Sequence, residues 1–161
     1  MDKNVKIAKE LVRIAKMLVS EDTSFNPSSS NAGDDIESMS KDEKINLAKN
    51  KNTSPEILEK LAEDEDVNVR YEVTRNPKAP VNILIKLAED KDKLVIYAVA
   101  ENPNTPAEVL KKLAEDRDWF IRWEVASNPN TPVEALRKLA KNDSSGGVIE
   151  AAERALRKRG Q

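Results

Sequence analysis

From residue 41 onward the apolar positions fall into short clusters at helical spacing, cut by polar turns at a fixed interval. Val109, Leu110 and Leu113 form one such face. Ile121 and Val125, four apart, form the next. The same pairing recurs at Val69 with Val73 and at Val95 with Val99. Leu-Ala-Glu-Asp stands at residues 61–64, 87–90 and 113–116, and a degraded copy, Leu-Ala-Lys-Asn, at 139–142, so the interval is 26 residues. Other columns keep it: Asn50, Asn76, Asn102 and Asn128; Pro77, Pro103 and Pro129; Pro80, Pro106 and Pro132; Leu58, Leu84, Leu110 and Leu136. A fixed period of this length predicts an all-α solenoid of about four repeats, each made of two short helices.

Local signals place the helix ends. Thr105-Pro106-Ala107-Glu108 and Thr131-Pro132-Val133-Glu134 read as capping boxes, with threonine as N-cap and proline at the first helical position. Thr53-Ser54-Pro55-Glu56 is a near copy with its proline one place later. Asp118 is placed to cap a second helix that begins near Trp119 and stops at Asn128-Pro129. Helices of two to three turns do not hold alone in water, so stability must come from stacked neighbours. Residues 41–48 read as a lone second helix that starts the stack. After Ser144-Ser145-Gly146-Gly147 a basic helix over 148–159 closes it, with Val148, Ala152, Ala155 and Leu156 facing inward.

These columns resemble the leucine-rich repeat variant family over about residues 41–142. Val69-Arg70, Val73, Asn76-Pro77, Pro80, Leu84 and Leu87-Ala88 carry the pattern, and the next copies repeat it. The resemblance implies a right-handed α-solenoid, similar to HEAT and armadillo arrays, in which an α-helix alternates with a short 3₁₀ or α-helix. It implies a binding fold without common catalytic residues. Some members carry an iron–sulfur module before the repeats. With no cysteine in this chain, nothing of that module carries over. A tryptophan after aspartate is common in the family, which implies a packing role for Trp119.

Before the repeats the pattern changes. In residues 5–19, Ile7, Leu11, Ile14 and Leu18 make the apolar face of an amphipathic helix, opposite Lys3, Lys6, Lys9, Arg13 and Lys16. Residues 1–19 carry five basic and two acidic side chains. Residues 20–40 hold five acids, a Ser-Ser-Ser run, Pro27 and Gly33, and read as a disordered acidic linker. The leading helix is a candidate docking element for a partner, for a second copy of the chain, for an anionic membrane surface or for the solenoid itself. The domain reading is therefore 1–19 basic helix, 20–40 linker and 41–161 repeat domain with its caps.

Composition narrows the chemistry. The chain has neither cysteine nor histidine, which removes thiolate chemistry, the commonest general base and the commonest metal ligands. Its four glycines match no phosphate-binding loop, so no catalytic residue, cofactor site or metal site is assigned. The Asp-x-Asp pairs (Asp64 with Asp66, Asp90 with Asp92, Asp116 with Asp118) invite a calcium reading, but N-capping accounts for the second aspartate of each. Residues 41–161 hold 22 basic and 22 acidic side chains, and Ile96 interrupts the column of Arg70 and Arg122. Arg154, Arg157, Lys158 and Arg159 form a local basic patch, a weak case for nucleic acid and a good complement to a helix C-terminus. No apolar run approaches a membrane span and the N-terminus lacks a signal-peptide pattern, so the chain reads as a soluble cytoplasmic protein.

Protein partners are the favoured class. Aromatic residues are 4% of the chain, so where they gather is informative. Trp119, Phe120 and Trp123 gather in five residues. Phe120 shares its column with Leu94 and Asn68. Trp123 shares its column with Tyr97 and Tyr71. Stacked columns line one face of a solenoid, so Tyr71, Tyr97, Leu94, Trp119, Phe120 and Trp123 are the candidate contact residues.

Overall fold

In a computed structural model the described residues are 36–160. They form nine α-helices and no strand: α1 (Lys41–Lys49), α2 (Pro55–Leu61), α3 (Val67–Arg75), α4 (Val81–Leu87), α5 (Lys93–Glu101), α6 (Ala107–Leu113), α7 (Trp119–Ser127), α8 (Val133–Asn142) and α9 (Gly146–Lys158). Seven-residue first helices alternate with nine-residue second helices, as the period requires. The described residues fall into two compact units, 36–78 and 79–160. In the first unit α1 packs on α3. In the second, α5 packs on α7, and α7 and α8 pack on α9. Equivalent second helices thus lie side by side within each unit, the packing of a helical solenoid.

The buried side chains are those of the repeating apolar columns. Leu58, Leu61, Val69 and Val73 fill the first unit. Leu84, Val95, Val99, Leu110, Ile121, Val125, Leu136 and Val148 fill the second. Fully burying each such side chain contributes about 1.5–3 kcal/mol, which no two-turn helix could obtain alone. In α9, Val148 and Ala152 are buried as expected, while Ala155 and Leu156 are only half-buried. Ile36, in the segment read as linker, is also buried, and Ser40 makes a reciprocal capping box with Glu43 at the start of α1. Residues 1–35, including most of that linker, lie outside the described residues.

What joins one repeat to the next is polar. The Asn76 side-chain amide donates to the Ala48 and Asn50 carbonyls, at 2.7 and 2.9 Å. Asn128 does the same to Ala100 and Asn102, at 2.7 and 2.9 Å. The side-chain oxygen of each asparagine accepts the backbone N–H two residues on, at Lys78 and Asn130. Asn76 and Asn128 are only 2% and 3% exposed. Each therefore satisfies three backbone groups where two second helices end. At the last helix Arg159 takes over. Its guanidinium donates to the Thr131, Asn128 and Pro129 carbonyls, so the end of the stack is closed by an arginine where no further asparagine follows.

The threonines act differently from the capping boxes expected of them. Thr53, Thr105 and Thr131 are buried, and each donates its hydroxyl backward to a carbonyl six residues earlier: Leu47, Val99 and Val125. They satisfy the end of the preceding helix and leave the start of the next without a side-chain cap. Pro106 and Pro132 are themselves the N-cap residues. Their carbonyls accept from Leu110 and Leu136. Proline suits this place, because its fixed φ presets the turn and its missing N–H is not needed. Glu108 pairs with Lys111 instead of completing a box.

The arginine column is a second inter-repeat strut. Arg122 donates through Nη1 to the Asp116 and Arg117 carbonyls and grips the Asp143 carboxylate with Nε and Nη2, at 2.6 and 2.9 Å. Lys44 reaches Asp64 in the same way at 2.8 Å. Asp143 stands four residues after Leu139, whereas Asp64 stands three after Leu61. One extra residue therefore lengthens α8 before the closing helix.

The ladder predicts where the fold is weakest to mutation. Asn128→Ala strands the buried Ala100 carbonyl, takes one of two donors from the Asn102 carbonyl, and is expected to lower unfolding stability by about 1–3 kcal/mol. Lys111→Ala removes only an exposed pair and is expected to change stability by less than about 0.5 kcal/mol. Urea unfolding of both variants measures the contrast. Equal midpoints would show that the asparagine is dispensable.

Candidate binding surface

The Asp-x-Asp turns set where each second helix begins. In all three pairs the first aspartate accepts the N–H of the second, and the second accepts the N–H two residues further on, at Asn68, Leu94 and Phe120. One oxygen of every carboxylate is therefore committed to a turn or a cap. Lys41 pairs with Asp66 and Lys93 with Asp118 across one repeat. The Lys41 hydrogen bond, helped by the Asn68 donors, holds the Asp66 carboxyl down at about 2. Hydrogen bonds from Lys93 and the Phe120 backbone lower Asp118 too. These aspartates are anchored helix starts, and the register they impose fixes which side chains face outward.

On α7 that register sends Ile121 and Val125 inward and puts Trp119, Phe120 and Trp123 together on the other face. The Phe120 ring lies between two others. It stacks on Tyr97 of α5 at 4.9 Å between centroids and on Trp123 at 6.0 Å, with the ring planes 3° and 4° apart. Trp119 meets it edge-on at 5.5 Å. Aromatic pairs in these geometries gain about 0.5–1.5 kcal/mol beyond area burial, so the cluster is a stiff unit. Trp119 is 53% exposed, Phe120 44% and Leu94, in the Phe120 column, 42%. Trp119 thus presents half its surface to solvent, whereas the family resemblance implied packing. Tyr97 and Trp123 are half-buried flanks. The continuous stripe expected of one column is instead a zigzag, because Phe120 stands between Tyr97 and Trp123. Tyr71 lies in the first unit, where the Arg75 guanidinium sits 5.5 Å from its ring centre.

Beneath the cluster is a carboxylate that sequence reasoning missed. Glu124 is buried and hydrogen-bonded by the Tyr97 hydroxyl. Burial raises its pKa, the Tyr97 hydrogen bond lowers it in part, and the nearby Glu101 charge raises it again. Its position in the register, one residue before the inward Val125, was the available signal.

The other candidates fare differently. Arg159 is spent on backbone carbonyls, and Arg157 makes an exposed pair with Glu153 on its own helix. Arg154 and Lys158 are exposed on α9. Ile7, Leu11, Ile14 and Leu18 lie outside the described residues. Among the described residues, no helix is long and apolar enough to cross a membrane.

Residues 98–118 match the family described as leucine rich repeat variant. The matched stretch holds Asn102, Thr105, Asp116 and Asp118, the residues of the caps and ladders. It starts one residue after Tyr97 and ends one before Trp119. The leucine rich repeat variant signature thus describes the scaffold, and the aromatic cluster stands just outside it at both ends. Repeats of this kind are helical scaffolds, of a non-catalytic type often used in protein interaction. No curated protein and no solved structure matches the chain.

Glu124 gives the site a pH signature. An acid whose folded pKa is raised imposes no penalty below its unfolded pKa, and stability is lost as pH rises through the folded value. Glu124→Gln keeps an acceptor for Tyr97 and removes the buried charge. It is expected to raise the melting temperature at pH 7, with the gain closing as pH falls below about 4. Melting curves from pH 3 to 8 check this, and a gain independent of pH would contradict it.

Proposed function

We propose that this chain is a non-catalytic protein-binding repeat whose working surface is formed by Leu94, Trp119 and Phe120, with Tyr97 and Trp123 as flanks. The observation that carries the reading is the half-exposed aromatic cluster held stiff by ring stacking. Large apolar side chains kept out of the core lose little freedom when a partner covers them, and tryptophan and tyrosine dominate interface energetics. The scaffold beneath it is a preformed helical repeat, so binding needs little reordering of the backbone. Protein is favoured over nucleic acid because residues 41–161 balance 22 basic with 22 acidic side chains and Arg159 of the basic patch is engaged within the protein. The buried polar groups are engaged in caps and ladders, which fits a scaffold and supports no catalytic assignment.

The test is affinity capture with the full chain from its native host, read by mass spectrometry. Trp119→Ala/Phe120→Ala truncates two anchors and is expected to weaken partner capture at least thirtyfold, equivalent to about 2 kcal/mol, while the circular dichroism spectrum stays helical and the melt falls only by the lost ring contacts. A partner retained by that variant and lost on Arg154→Ala/Lys158→Ala would move the interface to α9.

A further inference from the structure

We propose that the partner element seated on the Leu94–Trp119–Phe120 surface is a peptide segment that sets a basic side chain, arginine before lysine, beside its apolar ones, with the cation placed on Glu101. This rests on the reading of that surface as the binding face and adds the chemistry of what it binds. The ground for it is an imbalance of charge at one end of the aromatic row. The unsatisfied carbonyls of a helix C-terminus carry partial negative charge and favour a cation in the last turn. Seven of the described helices, α1 to α4, α6, α8 and α9, each supply one. Helices α5 and α7 supply none, and they are the two that carry Leu94, Trp119 and Phe120.

Carboxylates stand at that end instead. Glu101 is exposed in the last turn of α5, four residues after Tyr97 and seven after Leu94, and so shares their face. Glu124 on α7 is buried, and the Glu101 charge is near enough to add to its raised pKa. Among the described residues neither makes an ion pair, whereas Glu89, Glu108 and Glu115 of the same unit each hold a lysine. The cations of this unit lie elsewhere. Arg159 is spent on the carbonyls beyond α7, and Arg154 and Lys158 stand on α9. Lys91, Lys93 and Arg117 stand at the opposite, N-terminal end of the two helices, with Lys93 held by Asp118 at 2.8 Å. A cation laid on Glu101 therefore answers two helix ends and two carboxylates at once. The neighbouring rings cover the apolar stem of the same side chain, and a guanidinium stacks on rings as well as pairing with carboxylates, which favours arginine. Val81 and Ile85, the other exposed large apolar residues among those described, lie on α4 beside Lys86 and make no such demand.

The probe is a phage-displayed library of random twelve-residue peptides, selected on the full chain and read by sequencing. The expected pool is enriched roughly threefold in arginine and lysine, together with leucine and aromatic residues. Glu101→Gln/Glu124→Gln keeps the shape and removes both charges, and is expected to bind the leading peptide roughly tenfold more weakly. Glu108→Gln/Glu134→Gln removes the same charge from α6 and α8, and is expected to bind it like the natural sequence. A pool without basic enrichment, or a leading peptide that binds both glutamine variants alike, would overturn the proposal. If that peptide still needs Trp119 and Phe120, the binding surface stands and only the chemistry of its partner falls. A leading peptide indifferent to Trp119→Ala/Phe120→Ala would sink the surface reading as well. A natural chain that is dimeric by light scattering and monomeric as Trp119→Ala/Phe120→Ala would put a second copy on the surface and also overturn the proposal.

Discussion

Two helices that end side by side leave carbonyl groups that nothing in either helix can satisfy. In this protein a buried asparagine answers that constraint. Asn76 and Asn128 each reach back one repeat with two donors and hold their own turn with the side-chain oxygen. The geometry works only if successive second helices lie at one spacing and in one register. A polar residue at this place therefore specifies the repeat more sharply than the leucines do, because apolar contacts tolerate small shifts and a two-carbonyl hydrogen bond does not. Arg159 shows the same requirement from the other side. Where the column supplies no further asparagine, Arg159 donates to the Asn128, Pro129 and Thr131 carbonyls instead.

With stacking secured by buried polar contacts and by the leucine and valine columns, the outward positions of the second helices are released from the fold. Charged residues occupy most of them. On α5 and α7 they are instead Leu94, Trp119 and Phe120. A stacked aromatic row on such a frame is a surface whose shape is set before anything binds. The Tyr97–Glu124 hydrogen bond ties that row to the interior, placing a buried acid directly behind the rings.

The period of 26, the two-helix unit, the core columns and the aspartate caps were legible in the sequence because each rests on residues close in the chain. The aromatic positions were legible as columns. Their geometry was not, because Phe120 stacks between two residues of a different column, one of them a repeat away. The threonines misled for a physical reason. Thr-Pro-x-Glu is a helix-start pattern, but a buried hydroxyl beside an unsatisfied carbonyl takes the nearer need, and Thr105 faces Val99. The asparagine column was visible and its role was not, since its partners lie 26 and 28 residues back. Arg159 read as surface charge for the same reason: its acceptors come from residues 128–131.

The central claim is that the outward face of α5 and α7 is where a partner sits. A photo-crosslinking amino acid placed at Phe120 of the full chain, and separately at Ile85, tests it most directly in the native host. The account predicts a covalent adduct with one partner protein from position 120 and none from position 85. An adduct from position 85, with position 120 silent, would contradict it.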